Sequence, residues 1–238
     1  MRVLRPGSRG HEVEFLQRLL TSAASRDGVA DPGVFEDGIF GPITERALRD
    51  FQRRHSLVAS SGSTDASTWQ ALGLRTEVEH GRVRLMGQPS GTSCWSVAAS
   101  MILGNQSVGS GHASLDPWDS SLRPDIANVE VFARSLSWRM LQHTPGAQEM
   151  ERLARATPLW IGVRWTGRGG TSGRHAIVVS GVYSTGEANG QGTMFRIHDP
   201  WPVGSGQIYG SWANPFTWRP APGAPRNSAS LECVLIPS

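Results

Sequence analysis

The chain of 238 residues contains no lysine, only two cysteines and only two tyrosines. Two cysteines close at most one internal disulfide, so a disulfide framework is excluded, and Cys94 and Cys233 do not have zinc-ligand spacing. With lysine absent, the formal net charge of +3 is carried by arginine alone, and no basic run marks a nucleic-acid patch. No stretch approaches the roughly 18 consecutive apolar residues of a membrane-spanning helix, so no integral membrane segment is expected. The first twenty residues, "MRVLRPGSRGHEVEFLQRLL", are amphipathic and charged where a secretory signal would be apolar, so no signal peptide is expected.

What is present is enough for cores: 38% of residues are hydrophobic, and the length suits a small domain followed by a medium one. Val13, Leu16, Leu19 and Leu20 recur at helical spacing, as do Ile43, Ala47, Leu48 and Phe51. Pro42 fits a first helical position, where its missing N–H costs nothing. A third short helix is predicted after "SSGSTD", with Asp65 as N-cap and Trp69 and Leu72 facing inward. Residues 1–75 thus read as a three-helix bundle, and 76–86 as a linker running into an edge strand.

Residues 87–238 read as a second domain. Helical patterns come first: the run after Cys94, "DIANVEVFARSLSW" and "AQEMERLARAT". Strand patterns follow in "PLWIGVRW", "RHAIVVSGVYS", "GTMFRIHDP" and "LECVLIPS". Helices followed by strands predict an α+β fold with an antiparallel sheet. The proline-rich stretch "NPFTWRPAPGAPRNSAS" is expected to wrap the surface, and Cys233 to sit in the core of the last strand.

Cys94 opens its helix directly after the turn "GQPSGTS", with Ser93 as the expected cap and Val97, Ala98, Met101 and Ile102 as the anchoring face. A helix N-terminus favours the thiolate, which is the reactive form of cysteine. Such a nucleophile needs an imidazole and a group to orient it. Of seven histidines, His175 stands out because it follows the glycine-rich "TGRGGTSGR" and opens an apolar strand. The next strand ends in Asp199. Strand side chains alternate, so His198 is expected to face away from whatever Asp199 faces. Gln88, six positions before Cys94, offers an amide donor for an oxyanion. Most of the tryptophans are expected in or near the core, with Trp201 a candidate lid over the His175–Asp199 pair.

Two resemblances follow. "LRPGSRGHEVEFLQRLL", "DGIFGPITERALRDFQ" and "DASTWQAL" resemble the three-helix peptidoglycan-binding domain of bacterial and phage cell-wall enzymes, with a longer connection, "TSAASRDGVADPGVFE", after the first helix. "QPSGTSCWSVAASM", "RHAIVVSGV" and "IHDPWP" resemble the active-site segments of papain-like cysteine peptidases. That resemblance implies Cys94 as nucleophile, His175 as base and acid, Asp199 as the residue orienting the imidazole, and Gln88 as oxyanion donor. Aspartate at position 199, where plant papains use asparagine, resembles the bacterial branch of that superfamily. No metal or organic cofactor is implied.

Together the resemblances imply an amide hydrolase at the bacterial wall, with peptidoglycan or peptide as substrate. The leading expectation is an antibacterial toxin of the type VI effector kind, made in the cytoplasm, acting in a target bacterium's periplasm and met there by a cognate immunity protein. A protein-cleaving protease, a phage endolysin and a non-catalytic wall-binding protein are the alternatives.

Overall fold

A computed structural model of the chain describes residues 3–57, 61–105, 108–166, 172–219 and 227–238, apart from the side chain of Trp218. Part of the glycine-rich stretch before His175 and part of the proline-rich stretch lie outside the described residues. The chain divides into two compact units, Met1–Glu77 with Tyr183–Gly186, and Val78–Val182 with Glu187–Ser238.

The first unit holds α1 (His11–Arg26), α2 (Pro42–Arg54) and α3 (Ala66–Ala71). Pro42 occupies the first turn of α2, and Asp65 caps α3 by accepting the Thr68 N–H at 2.7 Å. Val13, Phe15, Leu16, Leu48, Phe51 and Trp69 are buried together. Ile43, expected on the apolar face of α2, is exposed, because the first turn turns Thr44 inward instead, where its hydroxyl accepts from the buried Gln17. Two buried glutamines hold the connections: Gln17 donates to Asp37 and accepts the Gly38 N–H, and Gln52 donates to the Ser63 carbonyl. Gly38, at φ +72°, sits against the Glu14 side chain and the Gly10 carbonyl, so the turn between α1 and α2 requires glycine.

The segment read as a linker contains β1 (Thr76–Glu79), which pairs with β4 (Ser172–Ser184). The second unit then gives α4 (Cys94–Leu103), α5 (Ile126–Ser135), β2 (Arg139–Met140), α6 (Ala147–Ala156) and β3 (Leu159–Thr166). After β4 come β5 (Thr193–Asp199), β6 (Gln207–Trp212), β7 (Thr217–Trp218) and β8 (Asn227–Ile236). Among the described residues the main sheet runs β2-β8-β3-β4-β5-β6. Helices precede the sheet in the chain, and the α+β class holds.

The sheet is covered on both faces. Trp160, Ala176, Val178 and Leu235 pack with α4 and α5, whereas Leu159, Ile161, Val163, Ile177 and Val179 pack with α6. Covered on both sides, β3 and β4 read as nearly unbroken apolar runs rather than alternating ones. Four strands depart from the sequence reading. β2 and β6 had no strand pattern of their own, β7 lies inside the proline-rich stretch, and β8 begins at Asn227 rather than Leu231.

Candidate active site

Cys94 is the first residue of α4, and the sheet helps to hold it there. The Trp160 indole N–H on β3 donates to the Trp95 carbonyl at 3.0 Å, and Trp95, Phe132 and Trp160 stack edge-on beneath the first turn. The expected cap is not made: the Ser93 hydroxyl stays in the preceding turn, bonded to Ser90. At the other end α4 stops on Gly104, whose left-handed backbone closes the helix.

His175 and Asp199 come from neighbouring strands, β4 and β5. The His175 Nε2–H donates to Asp199 Oδ1 at 2.6 Å, with the ring almost buried and the carboxylate wholly so. The same Oδ1 accepts the Trp201 N–H at 2.8 Å, and Oδ2 accepts the Tyr209 hydroxyl at 3.3 Å. A buried carboxylate is tolerable only when its lone pairs are satisfied in this way. His198 points to the other side, its Nδ1 at 2.7 Å from the Ser180 hydroxyl, as strand alternation required. Trp201 serves Asp199 through its backbone, and its half-buried ring packs against the apolar cluster that includes Ile197 and Tyr209.

The electrostatics turn on this relay. Burial alone would push the Cys94 thiol up. The His175 cation, a hydrogen bond from its ring and the Ala176 N–H outweigh burial and leave the thiol below its ordinary value. Burial alone would likewise depress His175, yet the charges of Asp199 and Cys94 and the hydrogen bonds to both raise it to about 10. Cys94 is thus shifted toward its thiolate while His175 is held as imidazolium, the reactive pairing for attack on a carbonyl carbon.

Gln88 is buried, and its amide donates to the Ser90 carbonyl at 2.5 Å while its Oε1 has no partner among the described residues. Its backbone N–H donates to Pro200, next to Asp199, and its carbonyl accepts the Gly204 N–H. Gly87 makes this junction possible: a Cβ there would lie 2.3 Å from the Gly204 carbonyl carbon. The glutamine turn and the loop after β5 are thereby stitched together.

A cleft of about 600 Å³ opens beside the relay, lined by Cys94, His175, Trp160, Gly162, Ala176, Leu122 and others. Cys233, expected in the core, is half-buried and lines this cleft; burial first of all raises its thiol, to about 11, which makes it a poor nucleophile. Tyr209, the Ala176 N–H and the Trp160 indole escaped sequence reasoning, since each acts through a strand pairing that no local motif records. Among the described residues no group of histidine, cysteine and carboxylate side chains has the makings of a metal site.

A family model described as a peptidoglycan binding domain matches residues 9–72, and one described as papain-like cysteine protease AvrRpt2 matches residues 78–210. Cys94, His175 and Asp199 all fall inside the second match. A Symbiobacterium thermophilum protein named thiamine biosynthesis bifunctional protein ThiM/ThiE is 37% identical over 123 residues, which is 50% of this chain and 23% of that protein. The chain thus spans under a quarter of that relative's length. With a protease model covering more than half of its residues and a wall-binding model ahead of it, the chain belongs to the AvrRpt2 family of papain-like cysteine proteases and carries an N-terminal peptidoglycan-binding domain.

Proposed function

We propose that the protein is a cysteine-dependent amide hydrolase that cuts stem-peptide bonds of bacterial peptidoglycan. The observation that carries this reading is the buried Cys94–His175–Asp199 relay beside an open cleft, in a chain that also holds a peptidoglycan-binding domain. A binding domain tethered to a catalytic one raises the local concentration of wall substrate at the cleft.

The chemistry follows from the charges. The Cys94 thiolate attacks the amide carbonyl carbon, a C–S bond forms, and the carbonyl electron pair moves onto oxygen. Backbone N–H groups and the Gln88 amide stabilise that oxyanion. As the intermediate collapses, the C–N bond breaks and the His175 imidazolium gives its proton to the leaving amine. Water, deprotonated by the now neutral imidazole, then attacks the thioester and releases the acid, restoring thiolate and imidazolium. Asp199 holds the ring through Nε2 throughout.

We place this activity in the wall compartment of a target bacterium, as an antibacterial toxin, with a cognate immunity protein that plugs the Cys94 cleft. A protein-cleaving protease is the second reading, favoured by the family match itself. The test incubates wild-type and Cys94→Ala protein with isolated peptidoglycan and, separately, with a bacterial protein extract, and reads products by mass spectrometry. Cys94-dependent release of stem-peptide fragments supports the wall reading. An intact wall with Cys94-dependent protein cleavage establishes the second reading instead, and cleavage of neither leaves a wall-binding protein.

A further inference from the structure

We propose that Arg174 selects substrates carrying a carboxylate close to the scissile amide, so that the cleft takes acidic peptides. The proposal rests on the amide-hydrolase reading and names the substrate class of that same cleft.

Arg174 immediately precedes His175 on β4 and lines the cleft. In the sheet register Gly162 of β3 lies opposite Ala176 of β4 and Cys233 of β8, and Arg164 lies opposite Arg174. Residues two apart share a face of a strand, so Trp160, Gly162 and Arg164 stand beside Arg174 and Ala176 on one face. Small residues at Gly162 and Ala176 keep the floor open, and a Cβ on Gly162 would meet the Cys233 sulfur at 2.6 Å.

Charge is in excess at the outer end of that floor. Glu232 accepts Arg164 Nε and Nη2 at Oε1, 2.8 and 2.6 Å, and Arg174 Nε at Oε2, 2.9 Å. One carboxylate thus answers two guanidiniums, and Arg164 alone would neutralise it. Arg174 is held through Nε, a contact that orients the guanidinium and leaves its two terminal nitrogens for a carboxylate to meet end-on. Half-exposed ion pairs contribute little to stability, so the arrangement is poorly explained as a structural clamp.

The cleft lining also carries the opposite sign. Asp119 also lines the cleft, its carboxylate accepting the Ser121 N–H at 2.8 Å, and the Asp119 carbonyl is fixed by the Thr92 hydroxyl at 2.7 Å. A substrate carboxylate is repelled there and drawn to Arg174, and because both charges are exposed this discrimination weakens as salt rises. Stem peptides, with free carboxylates along their length, present this chemistry.

The test uses two matched substrate pairs with the full-length protein: a stem peptide with isoglutamate or isoglutamine, and an L-peptide with Glu or Gln beside the cut bond. The wild type is expected to prefer the acid member about tenfold in kcat/KM, chiefly through KM, with the preference shrinking as salt rises. Arg174→Gln should bring the ratio close to one, and Arg174→Lys should restore part of it. Preferential labelling of Cys94 over Cys233 by iodoacetamide reports that each variant is folded.

A wild-type ratio near one on both pairs overturns the proposal, as does a loss of equal factor on acid and amide in Arg174→Gln. Cleavage of the L-peptides alone removes the wall reading, and the Arg174 proposal is then decided on that pair. Cleavage of neither pair by the wild type overturns both.

Discussion

Asp199 is wholly buried, yet it accepts hydrogen bonds from an imidazole, a backbone amide and a phenol, and its charge is what keeps His175 a cation. The proposed mechanism requires Cys94 as thiolate and His175 as imidazolium. It should therefore rise through the lowered Cys94 pKa on the acid side and fall as pH climbs through about 10. Asp199→Asn removes the charge that raises His175, so the alkaline limb of a kcat/KM profile is expected to move toward neutrality. An unmoved limb would mean that Asp199 does not govern the ring. Tyr209→Phe deletes one hydrogen bond to the carboxylate without opening a cavity. Its expected effect is a three- to tenfold fall in kcat with little change in KM, measured by steady-state kinetics on the substrate that the wild type cuts.

At the scale of the element, the site depends on junctions more than on any one helix or strand. Gly87 presses against the backbone of Gly204 and Ser205, and Gln88 is bonded to Pro200 and Gly204. Gly87→Ala must push this junction apart, at about 1–3 kcal/mol. Because Asp199 lies beside it, the variant should lose activity out of proportion to its fall in Tm, as calorimetry and kinetics together would read. Junctions of this kind were the least legible part of the sequence. α4, β3, β4 and β5 were readable because Cys94, His175 and Asp199 sit at the ends of apolar runs whose periodicity declares them. β6 was not, since Gln207, Gly210 and Ser211 are buried polar or small residues that suit a strand only once β5 lies beside them. Ser93 looked like a helix cap, but Ser90 offered its hydroxyl a nearer partner. Trp118, expected to be packed like the other tryptophans, is 94% exposed on the turn beside the cleft, because Asp116 and Asp119 fix that turn through its backbone and leave the ring outside.

At the scale of the whole molecule, the proposed function divides the work between two units, retention in the first and chemistry in the second. Leu48→Ala empties a fully buried position in the first unit and should cost about 2–5 kcal/mol there. The variant is expected to stop sedimenting with isolated peptidoglycan while iodoacetamide still labels Cys94 in preference to Cys233; loss of that preference as well would show that the second unit depends on the first. Both domain types were legible from motifs, whereas the division of strands between them was not, since Tyr183–Gly186 groups with the first unit although β4 begins in the second. Within the second unit the nucleophile rides on a helix and its base on the sheet, joined across one apolar layer with the Trp160 indole as a polar tie. A slip of that layer by an ångström separates the two charges while every helix and strand survives, so the catalytic pair is a gauge of tertiary packing that would register loosening before any loss of secondary structure.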